Sequence, residues 1–171
     1  MDRFVVNNDE FFGNVIEILE EGKQVTIPVK GFSMLPFIRG EKDQVVLEKP
    51  SRAYRVGDIV LFRLGGRYIM HRIIALDGDR VTIMGDGVPG NTEKVRLKDL
   101  IALATCILRD GTKKTDPYAP RMMRKVRLWR KLLPVRRYLL FIYRWLPWNR
   151  VWLKPQYRQV ALENKQKQET I

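Results

Sequence analysis

From Gln24 to Leu108 the chain is a series of short β-patterned runs, cut at roughly ten-residue intervals by glycine, aspartate and proline. That punctuation leaves no room for a long helix and points to an all-β body. Val25–Val29 reads as an extended run, and Pro28 gives it an edge position because proline cannot donate to a ladder. Gln44–Leu47 is a short strand, and Arg55-Val56-Gly57-Asp58 turns into a strand over Ile59–Leu64. Gly65-Gly66 predicts a hairpin into Tyr68–Leu76, and Asp77-Gly78-Asp79 a turn into Val81–Met84. A polar loop covers Gly85–Asn91, Val95–Leu100 reads as one helical turn, and Ile101–Leu108 as a last strand. The expected fold class is mainly β, a coiled antiparallel sheet or barrel-like body.

Ahead of the strands, Asp9–Glu21 carries apolar residues at three- and four-residue steps and predicts a helix capped by Asp9 and stopped by Gly22. Behind them the composition changes. Residues 1–116 hold 18 Lys and Arg against 17 Asp and Glu, whereas 117–171 hold 14 against 2. The net charge of +13 therefore belongs to the C-terminal part. This gives a β domain with its N-terminal helix over 1–110, a linker over 111–120, and a basic, aromatic-rich helical tail over 121–171. Pro134 should break or kink that tail.

The single cysteine, Cys106, excludes an internal disulfide, and its apolar neighbours predict a buried structural thiol. The acidic N-terminus does not look like a signal peptide. No run approaches the ~18 uncharged apolar residues of a membrane span. The chain is expected on the cytoplasmic side. No metal site and no cofactor is expected.

Two stretches carry chemistry. Gly31-Phe32-Ser33-Met34-Leu35-Pro36 places a serine in a loop bounded by glycine and proline. Gly31 permits a sharp turn and close approach of a substrate strand, and Pro36 stiffens the far side. Gly31, Met34 and Pro36 are thus the candidate substrate and oxyanion region, where backbone amides can steady an acyl-transfer oxyanion. Tyr68-Ile69-Met70-His71-Arg72 places the only histidine on a strand. A serine hydroxyl becomes a nucleophile when a base takes its proton, and histidine does so near neutral pH. Taken singly, each residue is ordinarily structural: a loop serine and a satisfied strand histidine.

Together the motifs resemble the type I signal peptidase superfamily, which also contains the SOS-repressor autoproteases. Gly31–Pro36 is similar to its serine box and Val56-Gly57-Asp58-Ile59-Val60 to its "GD" turn and strand. Met70–Ile74 is similar to the segment of the general base, and Met84-Gly85-Asp86-Gly87 to the following box. The resemblance covers roughly residues 25–108 and implies a signal-peptidase-type fold. It implies Ser33 as nucleophile and His71 as base, as in the branch that has histidine where most bacterial members have lysine. Asp86 matches the box acid and is the expected partner of the imidazole, with Asp79 a weaker candidate. The box usually continues with Asn where this chain has Gly87, and Glu93 is the nearest candidate for a second acid. An extended peptide with small side chains at the cut is the implied substrate. A catalytically inactive peptide-binding or regulatory descendant is the alternative.

Between Asp116 and Glu163 there is no acidic residue. Arg124, Trp129, Arg130, Lys131, Arg136, Arg137, Trp145 and Trp148, with Trp152 further on, interleave cations with indoles. Such composition suits the headgroup zone of an anionic membrane. It also suits single-stranded nucleic acid, which makes a DNA-associated autoprotease the rival reading. Neither Asp9–Glu21 nor the segment after Asp110 reads as a helix-turn-helix, so peripheral membrane binding is preferred and nucleic acid is not expected.

Overall fold

In a computed structural model of the chain, residues 8–145 are described. Helix α1 (Asn8–Glu20) is followed by strands β1 (Val25–Pro28), β2 (Gln44–Glu48), β3 (Ile59–Leu64), β4 (Arg67–Asp77), β5 (Arg80–Met84), β6 (Thr92–Arg96), β7 (Leu100–Arg109) and β8 (Lys113–Thr115). Helices α2 (Pro120–Lys131) and α3 (Arg136–Trp145) close the described part. All strand pairs are antiparallel, in the order β1-β2-β7-β3-β4-β5-β6, with β8 on β7. The mainly β reading holds. The sheet is an open path ending at β1 and β6, and Pro28 lies on an edge strand as its missing N–H requires.

β3 explains how one sheet supports two cores. Ile59, Val60, Leu61 and Phe62 are all buried. Ile59 and Leu61 join Val15, Leu19, Met34, Ile38 and Leu47 in one cluster; Val60 and Phe62 join Ile73, Val81, Ile83 and Leu103 in the other. Both faces of the strand are covered, so it reads as an unbroken apolar run. α1 supplies the first cover through Val15 and Leu19. Register shifts at Val46/Leu47, Leu61/Phe62 and Ile73/Ala75 mark bulges or irregularities in the ladders. The Gly65-Gly66 turn has φ of +55° and +75°, the left-handed pair that a two-residue hairpin demands. It sets the register that puts His71 opposite Val60 and Arg72 opposite Ile59.

Five expectations are refined. Asp9 lies in the first turn of α1 rather than capping it. The loop over Gly85–Asn91 is followed by β6, so the helical turn expected over Val95–Leu100 narrows to a single 3-10 turn at Leu97–Asp99. The linker over 111–120 contains β8, paired with Ile107–Arg109. Within it Tyr118 is fixed: its hydroxyl accepts from Ile59 N–H (3.2 Å) and donates to Ala104 C=O (2.7 Å). Burial pushes that hydroxyl well above its ordinary pKa. Finally, the chain divides at Pro134, with α2 in the first compact unit and α3 in the second. Cys106 is half-buried rather than fully buried. Met1–Asn7, Trp148, Trp152 and Glu163–Ile171 lie outside the described residues.

Candidate active site

The serine loop runs between β1 and β2. Leu35 N–H donates to Phe32 C=O, and Phe37 and Ile38 N–H donate to Met34 C=O. Met34, Leu35, Phe37 and Ile38 are buried, which pins the loop to the core and leaves Ser33 half-exposed. Gly31 has φ of +75°, the sharp turn expected of it. Met34 departs from expectation: only 2% exposed and packed in the first core, its side chain cannot line a substrate site. Its amide remains in place. The N–H groups of Ser33 and Met34 have no acceptor among the described residues, as an oxyanion site requires.

The loop is anchored at its far end by Asp43, whose side chain is fully buried. Arg39 N–H and the guanidinium groups of Arg39 and Arg109 donate to its carboxylate. Burial opposes the charge there, but the hydrogen bonds from Arg39 and the charge of Arg109 prevail and hold Asp43 below the ordinary carboxylate range.

His71 is 7% exposed, and its ring stands 6.2 Å from that of Phe62. Nδ1 lies 3.2 Å from Glu93 Oε2, across β5 on β6. With Nδ1 donating to that carboxylate, Nε2 carries the lone pair. Nε2 faces the serine loop across Gly85. A Cβ placed on Gly85 would stand 2.6 Å from Ser33 C=O and 3.0 Å from His71 Nε2, so only glycine admits both. Gly87 is pressed in the same way: a Cβ there would collide with the carbonyl of Phe32. This is the physical reason for glycine where the resembling box has Asn. Gly87 N–H donates to Ser33 C=O at 2.7 Å, tying the two boxes together. The Ser33 hydroxyl and the imidazole are not hydrogen-bonded in this resting geometry; such bonds commonly tighten only on substrate binding.

Asp86 does not serve the imidazole. Its carboxylate takes Arg72 Nε at 3.0 and 3.1 Å and Nη2 at 2.7 Å, and Arg72 Nη1 donates to Gly57 C=O at 2.8 Å. A guanidinium fork matches a carboxylate in two parallel bonds, which a single imidazole N–H cannot outcompete. The position beside His71 belongs instead to Glu93. Asp79 lies in the exposed β4–β5 turn, away from this centre.

The tail residues separate. Trp129 is half-buried: Nε1 donates to Asp86 C=O at 2.8 Å, and the ring meets Phe37 edge-on at 6.4 Å. Arg130 donates to Ile74 C=O at 3.2 Å. These two side chains are packed on the β body. Arg136 is buried. Arg124, Lys131 and Arg137 are exposed. Trp148 lies outside the described residues, as does the side chain of Trp145. Among the described residues no helix is long and apolar enough to cross a membrane.

The sequence profile of the Peptidase S24-like family matches residues 5–98, a span holding Ser33, His71, Gly85, Asp86 and Glu93. No curated protein matches the chain. The antiparallel sheet, the serine loop seated on the Gly85–Gly87 segment and the extent of that match lead to one conclusion: the chain belongs to the Peptidase S24-like family and has a serine-peptidase type of fold.

Proposed function

We propose that this protein is a serine endopeptidase with Ser33 as nucleophile, His71 as general base and Glu93 as the acid that orients it. The observation that carries this reading is Gly85, on which the Ser33 carbonyl and His71 Nε2 converge from two different elements. As Ser33 Oγ bonds to the scissile carbonyl carbon, its proton passes to Nε2. The free amides of Ser33 and Met34 receive the oxyanion. The C–N bond then breaks and the imidazolium gives its proton to the leaving amine. Water enters by the same route, releases the new carboxyl group and restores Ser33. Glu93 steadies the imidazolium without taking its proton.

One observation favours a second reading, a peptide-binding protein without turnover: the Ser33 hydroxyl and His71 are not hydrogen-bonded. A fluorescent β-lactam that acylates activated serines decides between them. Labelling at Ser33, shown by peptide mass and lost in Ser33→Ala and His71→Ala, supports the enzyme. Equal labelling of wild type and both variants refutes the assignment.

The same protein is proposed to work at an anionic membrane surface, on peptides presented there. Between residues 117 and 162 the sequence has 12 Lys and Arg and no Asp or Glu. On α3, Tyr138, Leu139, Phe141 and Ile142 are exposed beside Arg137. At about 1 kcal/mol per cation near such a surface, a few of these charges suffice for peripheral binding. Sedimentation with phosphatidylglycerol vesicles should fall in the double variant Phe141→Asp/Ile142→Asp. Unchanged binding to these vesicles, or tighter binding to single-stranded DNA, would end this part of the reading.

A further inference from the structure

α2 lies beyond residue 98, where the family match ends, yet it reaches the centre of the site. The link is a single peptide group, Asp86–Gly87. Its C=O accepts from Trp129 Nε1 at 2.8 Å, and its N–H donates to Ser33 C=O at 2.7 Å. The two ends of a peptide are held rigidly opposed, so fixing one fixes the other. The plane of this peptide turns about ψ of Asp86 and φ of Gly87, and a glycine restrains such rotation least of all residues. Arg72 holds the Asp86 side chain, but a side chain does not fix the plane of the peptide that follows it. The indole N–H does, and it also makes the Gly87 N–H a better donor, because bonds in a chain polarise one another. Trp129 reaches the loop from a second side as well, edge-on to Phe37. α2 is held in place independently by Val126, 1% exposed, and by Arg130 on Ile74 C=O.

We propose that Trp129 is a positioning residue for Ser33, acting through the Asp86–Gly87 peptide, so that the basic helix outside the matched span sets the reactivity of the nucleophile. This depends on the reading of Ser33 as nucleophile, and the test separates the two.

Trp129→Phe removes the indole N–H and keeps a ring against Phe37. Val126→Ala loosens α2 without touching the peptide. Each is followed by the rate of β-lactam acylation across pH and by NMR amide exchange at Gly87. Trp129→Phe should lower the plateau rate by about threefold to tenfold, the worth of one neutral hydrogen bond. It should leave the shape of the pH profile unchanged, since His71 and Glu93 are untouched, and should speed exchange at Gly87. Val126→Ala should lower the melting temperature and do neither. Two results overturn the proposal: Trp129→Phe behaving as wild type in both readouts, or Val126→Ala reproducing its effects. If wild type shows no Ser33-dependent labelling, the nucleophile assignment fails by itself. Exchange at Gly87 then still reports whether the indole holds the serine loop.

Discussion

His71 and Arg72 are neighbours on β4, and each faces a carboxylate, but the two pairs are built differently. Arg72 and Asp86 are 1% and 2% exposed, joined through two guanidinium nitrogens, with the third nitrogen on Gly57 C=O. His71 meets Glu93 through one nitrogen at 3.2 Å, and the Glu93 side chain is 20% exposed. Removing either member of a saturated, dry ion pair strands a buried charge. A single bond near water can follow the charge of its partner. The first pair suits holding the Gly57 turn and the Asp86 segment together; the second suits the proposed role of His71 as a base that becomes a cation and returns.

The sharpest way to break this contrast is to remove the proposed base. His71→Ala should lower acylation of Ser33 by about 10²- to 10⁴-fold, the usual worth of general-base catalysis, with far-UV circular dichroism unchanged. Next, Asp86→Asn should cost about 3–5 kcal/mol in urea unfolding, because Arg72 is left charged and buried. If Asp86→Asn instead slows acylation at full stability, the roles of the two acids are reversed. Third, Glu93→Gln should slow acylation by about tenfold to a hundredfold, the range for a hydrogen bond to a charged group. Its stability should change by no more than about 0.5 kcal/mol. A mildest test uses a third acid. Asp43 is held below the ordinary carboxylate range in the fold, so it binds protons more weakly folded than unfolded. Its stabilising share is complete above the unfolded value of ~3.9 and is lost as pH falls through the lower folded value. Acid unfolding of wild type should steepen below about pH 4. Asp43→Asn should flatten that part of the curve.

The strands legible in the sequence were those with apolar alternation or a full apolar run, because burial leaves that period. β6 and β8 were not legible for the same reason. In Thr92–Arg96 only Val95 is buried, and Lys113–Thr115 buries nothing. The serine and histidine were legible from residue chemistry and from the resemblance, and the fold brings both to Gly85. The choice between carboxylates was not legible. Asp86 stands in the motif, but Arg72, next to His71 in sequence, claims it. Glu93 is 22 residues from His71 and reaches it only across two strand pairings. Arg72 was the available signal, since an arginine fork beside an acid-bearing box competes for the acid. The inward contact of Trp129 was not legible because its helix exposes Arg124, Arg127 and Leu128 on the face that sets its composition, while the indole donates to a carbonyl.

His71 is the only histidine, so a ¹⁵N-histidine label reports one imidazole without ambiguity. In the neutral imidazole of wild type the proton should reside on Nδ1, with an unprotonated Nε2, and the Nδ1–H resonance should shift in Glu93→Gln. A proton on Nε2, or an Nδ1 resonance that ignores Glu93→Gln, would contradict an imidazole held by Glu93 with its basic nitrogen toward Ser33.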